Sequence, residues 1–296
     1  MIPQAAPRGA GRAADAVTLG VPPTRTSRET VLSEIQRRDA PPAGRPGAPR
    51  PGVVDLWLLD VSRQTEETLD LSVLDAEERR RVAAFVHGRD RIRYAVAHTA
   101  LRRVLGACVG RAPEAIELGR DTCPCCGGPH GRPVLADPPF PVHFSLSHGG
   151  DLVMIGVASE AIGVDVEPVA LRRAVGDLAA VLHPAEQAEL AELPADGRPA
   201  GFTRVWTRKE AYLKGIGTGL GRDLAADYLG TTGRAALPAG WTVVDVPTIP
   251  GHAAACAVQG PPFTVRMRQP PAELQAAGRV SSPGRGRGED TAGPAV

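Results

Sequence analysis

The stretch Trp206-Thr-Arg-Lys-Glu-Ala-Tyr-Leu-Lys-Gly-Ile-Gly-Thr-Gly-Leu220 decides how this chain folds. Placed on a helix that starts near Phe202, its apolar residues fall on one face, which comprises Phe202, Val205, Trp206, Tyr212, Leu213 and Ile216. Glu210 and Lys214 lie four residues apart at the margin of that face. Glycine permits the positive φ that ends a helix, and glycines follow at positions 215, 217 and 219. The pattern therefore predicts a half-buried helix with a carboxylate and an ammonium at its edge.

The same stretch contains every lysine of the chain. Of the 34 Lys plus Arg residues, all but Lys209 and Lys214 are arginines, and there is no Asn. Such usage, with abundant Ala, Gly and Pro, is typical of a GC-rich genome. Two lysines this close together indicate positions where a compact ammonium is needed and a guanidinium fork would not serve. The alternative is a surface Glu210–Lys214 pair, worth a few tenths of a kcal/mol.

Length, charge and hydropathy exclude several classes of protein. The chain has 296 residues and a net charge of +1, which argues against a general nucleic-acid or membrane surface. No apolar run approaches the roughly 20 residues of a membrane span, and the N-terminus lacks the apolar core of a secretory signal. The five cysteines, three of them within 123–126, do not form a disulfide framework. These features predict a soluble cytoplasmic protein.

Composition divides the chain into four segments. Residues 1–52 are rich in Pro, Gly, Ala and Arg and predict a disordered or loosely attached extension, with a brief helical turn at Val31–Ile35. Strand and helix patterns indicate a folded body made of two parts, 53–158 and 159–268. Residues 269–296 return to the composition of the extension, and we expect disorder there as well.

Arginines decorate two helices that the sequence predicts over 75–85 and 90–105. A solvated basic face explains most of these arginines. Two or three of them would suffice for a basic rim around an anionic ligand. The expected core face of the second helix consists of Ile92, Val96, Leu101, Val104 and Leu105.

The segment Val142-His-Phe-Ser-Leu-Ser-His148 alternates as a strand does. It predicts Val142, Phe144 and Leu146 inward, and His143, Ser145 and Ser147 outward, with a hairpin turn at Gly149-Gly150. Adjacent strand residues face opposite sides, so His148 is poorly placed to activate Ser147 as a nucleophile. Contact with an anion through the hydroxyl, the imidazole and backbone amides is the favoured interpretation.

Two carboxylates share one face of the next predicted strand, Ala161-Ile-Gly-Val-Asp-Val-Glu-Pro168. Asp165 and Glu167 lie about 7 Å apart along the backbone, close enough for both to reach one hard cation. Buried carboxylates this near each other repel unless a cation joins them. Glu210 would provide a third oxygen ligand. The alternative is an acidic, solvent-facing edge strand.

A third feature is the turn Cys123-Pro-Cys-Cys-Gly-Gly-Pro-His130. Cys123, Cys126 and His130 have the residue types and spacing of half a zinc site, with Cys125 as a spare thiol. A structural zinc normally takes four ligands, and the chain has no second Cys-x-x-Cys. The alternative is a Gly/Pro turn that presents Arg132 at the start of a strand.

Three motifs in this order and spacing resemble the 4′-phosphopantetheinyl transferases of the surfactin-synthetase-activating type. They are Phe-Ser-Leu-Ser-His at 144–148, Gly-Val-Asp-Val-Glu at 163–167, and Trp-Thr-Arg-Lys-Glu-Ala-Tyr-Leu-Lys at 206–214. The resemblance covers roughly 53–268 and implies an α+β fold of two similar halves. These halves would be related by a pseudo-two-fold axis, with coenzyme A in the cleft between them. The family usually has Asn at the position of Ser145 and a hydroxyl residue at that of Gly149.

The resemblance also implies a reaction. The family transfers 4′-phosphopantetheine from coenzyme A to a serine hydroxyl of an acyl or peptidyl carrier protein and releases 3′,5′-ADP. The carrier would belong to fatty-acid, polyketide or nonribosomal-peptide synthesis. Because a pair of halves already completes the cleft, we expect a cytoplasmic monomer that binds neither nucleic acid nor membrane.

Site residues follow from the matched motif positions. Asp165, Glu167 and Glu210 resemble the Mg²⁺ ligands, which agrees with the three carboxylates found above. Glu210 also resembles the general base, and Lys214 the cation that neutralises the departing phosphate. The positions that hold the nucleotide and its 3′-phosphate match Arg81, Arg93, Arg132, Ser147 and His148. For Lys209, contact with a coenzyme A phosphate and an ion pair would both fit.

A competing interpretation is not enzymatic. It is a zinc-stabilised interaction module built on Cys123, Cys126 and His130, whose arginine-rich helices bind an acidic partner or nucleic acid. The sequence also lacks a Gly-rich phosphate loop before a helix, which counts against nucleoside triphosphate or dinucleotide use.

Overall fold

The protein is an α+β body built on two main sheets. A computed structural model describes residues 28, 30–32, 34–35, 47–231 and 237–270. The predicted disorder over most of the N-terminal extension and over 271–296 lies outside these residues. None of the helices in the described segments has the length and apolar character needed to cross a membrane.

Strands and helices come in groups along the described chain. The strands are β1 Val53–Asp60, β2 Leu118–Arg120, β3 Pro133–Leu135, β4 His143–Gly149, β5 Leu152–Ala158, β6 Ile162–Pro168, β7 Trp241–Asp245, β8 His252–Gln259 and β9 Thr264–Arg268. The helices are α1 Ala76–Ala84, α2 Gly88–Val109, α3 Arg172–Ala179, α4 Pro184–Glu192 and α5 Arg198–Ile216. The strands predicted over 142–148 and 161–168 are present as β4 and β6, and the short strands β2 and β3, which were not predicted, pair with each other.

The first sheet has the order β4-β5-β1-β9. One of its faces packs on α2, where Ile92, Val96, Leu101, Val104 and Leu105 are all buried as predicted. Helix α2 begins at Gly88, where the sequence predicted a break, and it ends at Gly110, which adopts a positive φ of 70°. The short helix α1 is held on α2 by the buried Arg102, whose Nε donates to Glu78 over 2.6 Å.

The second sheet has the order β6-β8-β7 and is covered by α5. Tyr212 and Leu213 pack toward this sheet, whereas Phe202 and Val205 pack with residues of α3 and α4. The second sheet covers one side of α5, and α3 and α4 cover another. The sequence predicted one buried face, whereas the helix buries two. Lys209 and Arg208 are buried as well, because the segment after α5 folds back over them.

Strand β4 is sandwiched, which corrects the prediction that its serines face outward. Phe144 packs toward α2, as expected, but Ser145 and Ser147 on the opposite face are also buried. They are covered by β6, and the Ser145 hydroxyl accepts a hydrogen bond of 3.1 Å from the backbone N–H of Val164. The two sheets thus meet along β4 and β6.

Two contacts cross the boundaries between the predicted segments 1–52, 53–158 and 159–268. Strand β9, from the end of the second part, pairs in parallel with β1 and completes the first sheet. At the other end of the body, residues 30–32 and 34–35 are helical, as expected for a turn at Val31–Ile35. Leu32 from this turn is buried in the core between the sheets, so this part of the extension is attached to the body.

Candidate active site

The candidate site lies where α5 crosses β6. Gly163 of β6 has no side chain, so the backbone of the helix comes down onto the strand at that point. The crossing places Glu210 and Lys214 of α5 beside Asp165 and Glu167 of β6. The three motifs found in the sequence therefore meet at one position in the fold.

Asp165 is the centre of a buried polar cluster. It is only 2% exposed, and its Oδ1 accepts from the Ser147 hydroxyl over 2.7 Å and from Lys214 Nζ over 2.6 Å. Lys214 Nζ also donates to the Ser147 hydroxyl oxygen over 3.0 Å. The alternatives of an exposed acidic strand and of a surface Glu210–Lys214 pair are both wrong, because Asp165 is buried and Lys214 pairs with it.

The other two carboxylates bind protons more tightly than usual. The pKa of Glu167 is raised to about 7, first by partial burial and then by the charges of Asp165 and Glu210, against the opposing effect of Lys214 and Arg93. Burial and the Asp165 charge also raise the pKa of Glu210. Both shifts come first from burial and then from neighbouring negative charge, and a bound cation would offset both effects.

One observation indicates that these residues fit a divalent cation. Asp165 Oδ2 is buried and has no hydrogen-bond partner, although an unpaired buried oxygen is costly. Glu167 and Glu210 carry the raised pKa values just described. In the part of the chain that the structure describes, one group has all its possible ligand atoms within 4.8 Å of one another. That group is Cys123, Cys126 and His130. The three carboxylates lie farther apart than that, as expected for like charges.

His148 and Arg93 border the same cluster. Solvent reaches the His148 ring, but many protein atoms surround it, and this partial desolvation lowers its pKa. The positive charges of Arg93 and Lys214 lower the pKa further, so His148 is neutral at neutral pH. Arg93 is partly buried and pairs with Asp90 over 3.0 Å. Its charge lowers the pKa of Glu167, and its role toward the nucleotide stays a prediction.

Arg132 lines a cavity of about 340 Å³ at the C-terminal end of α5. Its Nε donates to Asp121 over 3.0 Å, and its Nη1 donates to the carbonyl oxygen of Gly215 over 3.5 Å. Residues of both predicted parts of the body line this cavity, including Thr122, Gly217, Trp241 and Gln259. Arg132 therefore lies between the two parts, as expected for a cleft residue.

Two predicted nucleotide contacts have different surroundings. The Ser147 hydroxyl is buried and already bonded to Asp165 and Lys214. Its side chain therefore orients these two residues. Arg81 lies on α1, where its guanidinium stacks over the Phe85 ring at 5.4 Å from the centroid. A role for Arg81 or Ser147 toward the nucleotide stays a prediction.

The structure decides between the two interpretations of Lys209. Its Nζ lies 2.9 Å from Glu186 Oε2, with both side chains almost fully buried, and it also donates to the backbone carbonyl of Asp227. Glu186 Oε1 in turn accepts from the backbone N–H of Leu229 over 2.8 Å. Lys209 thus forms an internal ion pair with Glu186, and this pair holds the segment after α5 in place. The sequence did not predict that Glu186 pairs with Lys209. The rarity of lysine in this chain was the signal that pointed to Lys209.

The two departures from the family pattern are accommodated by close packing. Ser145 joins β4 to β6 through its hydroxyl, as described above. A Cβ at Gly149 would lie 2.2 Å from the Val166 carbonyl oxygen and 2.8 Å from Glu167 Oε2. Glycine at this position lets the end of β4 lie directly against the strand that carries the carboxylates.

The geometry agrees with what comparison with known proteins finds. The family model for the 4′-phosphopantetheinyl transferase N-terminal region matches residues 62–161. The family model for the 4′-phosphopantetheinyl transferase superfamily matches residues 161–237. Together these matches cover more than half of the chain, including Asp165, Glu167, Glu210 and Lys214. The chain belongs to the 4′-phosphopantetheinyl transferase superfamily.

Several individual relatives carry the same name. The chain is 29% identical over 177 residues to the 4′-phosphopantetheinyl transferase HetI of Nostoc sp., covering 57% of this chain and 70% of that protein. It is 31% identical over 190 residues to a phosphopantetheinyl transferase of Thraustochytrium sp., covering 58% of this chain and 63% of that protein. It is 27% identical over 157 residues to a 4′-phosphopantetheinyl transferase of Bacillus subtilis, covering 52% of this chain and 65% of that protein. About a third of each relative thus lies outside the matched stretch.

Proposed function

We propose that this protein transfers 4′-phosphopantetheine from coenzyme A to a serine hydroxyl of an acyl or peptidyl carrier protein. The serine oxygen forms a bond to the phosphorus that carries pantetheine, and the bond from that phosphorus to the bridging oxygen breaks. The bridging electron pair leaves with 3′,5′-ADP. The observation that carries the proposal is the meeting of Asp165, Glu167, Glu210 and Lys214 in a member of this superfamily.

Asp165, Glu167 and Glu210 would hold Mg²⁺. This ion prefers a few carboxylates together with waters and substrate phosphates, and it would neutralise charge on the coenzyme A pyrophosphate. The unpartnered Asp165 Oδ2 and the raised pKa values of Glu167 and Glu210 support this assignment.

Glu210 would accept the proton of the carrier serine, directly or through a water. It is half-buried on the last turns of α5, and its raised pKa brings its proton affinity closer to that of a base working near neutral pH. Lys214 would stabilise the negative charge of the departing phosphate. Its bonds to Asp165 and Ser147 hold the ammonium in position before substrate arrives.

Arg93, Arg132 and His148 would bind the nucleotide and its phosphates. Arg93 offers a cation next to Glu167, while neutral His148 offers a hydrogen bond. Arg132 stands at the cavity between the two parts of the body. We also expect the protein to act as a cytoplasmic monomer, which size-exclusion chromatography with light scattering would test.

Intact-mass spectrometry tests the proposal directly. Apo carrier proteins of the fatty-acid, polyketide and nonribosomal-peptide classes are incubated with the protein, coenzyme A and Mg²⁺, beside an EDTA control. We expect a phosphopantetheine mass gain that EDTA abolishes. No gain on any carrier, with a folded protein that binds coenzyme A, would contradict the proposal.

A matched pair of variants tests the base. Glu210→Gln is nearly isosteric and should lower the transfer rate by at least about a hundredfold. Glu192→Gln makes the same change at an exposed position of α4 and should leave the rate unchanged. A fully active Glu210→Gln protein would exclude the role assigned to Glu210.

A further inference from the structure

The loop that joins β2 and β3 carries a cluster that the transfer reaction does not use. The ligand atoms of Cys123, Cys126 and His130 all lie within 4.8 Å of one another. Cys126 Sγ is 2.9 Å from His130 Nε2. None of these residues belongs to the motifs shared with the transferases, and the cysteines are free thiols.

The backbone around these sulfurs is shaped as a metal-binding turn requires. The N–H of Gly127 bonds to the Cys123 carbonyl oxygen over 2.8 Å, and the N–H of Gly128 points at Cys126 Sγ over 3.4 Å. Gly127 adopts a positive φ of 74°. Amide donors directed at sulfur support negative charge on a ligating thiolate and orient it.

The spacing of the three atoms suits one ion. Tetrahedral zinc with Zn–S bonds of about 2.3 Å separates its sulfur ligands by about 3.8 Å, which falls within the observed 4.8 Å. Thiolate and imidazole ligands select zinc over the hard cations that carboxylates prefer. Gly128 leaves room for the ring, since a Cβ there would lie 3.2 Å from His130 Nε2.

Backbone hydrogen bonds hold the turn, for example from the N–H of Cys123 to the carbonyl of Gly128 over 2.7 Å, but few buried side chains support the loop. Cys123 is its buried side chain, whereas Cys125, Cys126 and His130 are exposed. At its base, the backbone N–H of Asp121 bonds to the carbonyl of Arg132 over 3.0 Å, and the N–H of Gly131 bonds to Asp121 over 2.9 Å. Above this base the chain turns back over itself without an apolar cluster, so a metal would supply the missing cross-link.

We propose that Cys123, Cys126 and His130 bind a zinc ion, with a water in the fourth position, and that this ion fixes the wall of the cavity at the end of α5. Thr122 and Pro124 of the loop line that cavity beside Arg132. Arg132 in turn contacts Gly215 of the helix that carries Glu210 and Lys214. The role proposed for this zinc is to support the loop, although it has one protein ligand fewer than structural zinc normally has, and its ligands are separate from the three carboxylates.

Metal analysis tests this site without reference to transfer activity. The full chain, purified from zinc-supplemented medium, is analysed by inductively coupled plasma mass spectrometry. We expect about one zinc per chain, and the strong visible absorption of tetrahedral cobalt–thiolate after exchange with Co²⁺. A protein without zinc that shows no such absorption, or that carries a disulfide between Cys123 and Cys126, would overturn the proposal.

Variants of the exposed residues assign the ligands. Cys126→Ser and His130→Gln should each lose the zinc and the cobalt absorption. Cys125→Ser is the matched control, because this thiol lies in the same turn but outside the group of close ligand atoms. Zinc retained in both ligand variants, or lost equally from the control, would overturn the assigned set.

Limited proteolysis tests the structural role. Chelation should expose the bond after Arg120, at the base of the loop, to trypsin in the wild-type protein. Cys126→Ser should be cleaved there even without chelator, and Cys125→Ser should resist like the wild type. If zinc binds but chelation changes neither cleavage nor thermal unfolding, the ion does not hold the loop. A rise in the KM for coenzyme A in Cys126→Ser, measured with Mg²⁺ present and no chelator, would follow only if the proposed function is also correct.

Discussion

Gly163 of β6 faces Ala211 of α5 so closely that a Cβ on residue 163 would lie 1.9 Å from the Ala211 carbonyl oxygen. The same Cβ would lie 2.5 Å from the backbone nitrogen of Gly215. Strand and helix thus touch backbone to backbone. Since Glu210 and Lys214 flank this contact, the absence of a side chain at Gly163 sets their distance from Asp165.

Adding one methyl group at this contact should separate helix and strand. We expect Gly163→Ala to lower the free energy of unfolding by about 1–3 kcal/mol and to reduce transfer further than the loss of folded protein explains. Gly176→Ala is the control, because a Cβ there meets nothing within 4 Å. Urea unfolding and initial rates on the same preparations measure both effects. Wild-type stability and rate in Gly163→Ala would contradict the packing.

The Ser147 hydroxyl should act by holding Asp165 and Lys214 in place. Removing it in Ser147→Ala leaves both residues present but frees their side chains, and losses of about 10- to 100-fold are typical for such supporting bonds. We expect kcat to fall by this amount with little change in stability. Ser159→Ala removes a hydroxyl that bonds Glu160 in the turn after β5 and should be silent. Equal rates for both variants would contradict the assignment.

Cation binding should release a proton at mildly acidic pH. The pKa of Glu167 is raised to about 7 in the cation-free protein, so below this value the carboxyl is mostly protonated and the cation must displace the proton. Above it the carboxylate is already ionised. We therefore expect binding of Mg²⁺ with coenzyme A to release close to one proton at about pH 6 and almost none at about pH 8.

Calorimetry in buffers of different ionisation enthalpy measures this release. Glu167→Gln, which cannot titrate, should remove the difference between the two pH values. Proton release that is the same at both pH values in the wild type would contradict a raised Glu167 pKa. The same shift predicts that the cation-free protein loses stability as pH rises between about 4.5 and 7, because its folded state binds the proton more tightly.

Breaking the buried Lys209–Glu186 pair should be strongly destabilising. Lys209→Met leaves the Glu186 charge buried without a partner, and such losses are about 3–5 kcal/mol. Replacing both residues, Glu186→Gln with Lys209→Met, should restore part of this. Arg91→Met is the control, since it opens a more exposed pair with Glu66 that should contribute under about 1 kcal/mol. Equal effects of Lys209→Met and Arg91→Met on urea unfolding would contradict the buried pair.

The sequence predicted the strands and helices well because each has a clear period. The strands β4 and β6 and the core face of α2 lie where the apolar pattern places them. The proximity of three carboxylates and Lys214 was predictable for a related reason, whereas their roles stay predictions. Asp165 and Glu167 are spaced to share a strand face, and Glu210 and Lys214 to share a helix face.

Contacts between distant segments were not predictable in the same way. The burial of Ser145 and Ser147 depends on β6 crossing β4, and alternation within one strand cannot say that both faces are covered. Glu186 likewise gives no local signal of its partner. It opens a helix as an ordinary capping residue, and only the fold brings Lys209 to it.

The parallel pairing of β9 with β1 has a consequence for how the chain is made. Thr264 bonds through its N–H to the Gly52 carbonyl over 2.9 Å, and the whole of β9 follows β1 from there. During synthesis, the backbone groups on one edge of β1 therefore stay unpaired until β9 has left the ribosome. Unpaired strand edges invite association with other chains, so nascent copies of this protein should depend on chaperones until their last strand emerges.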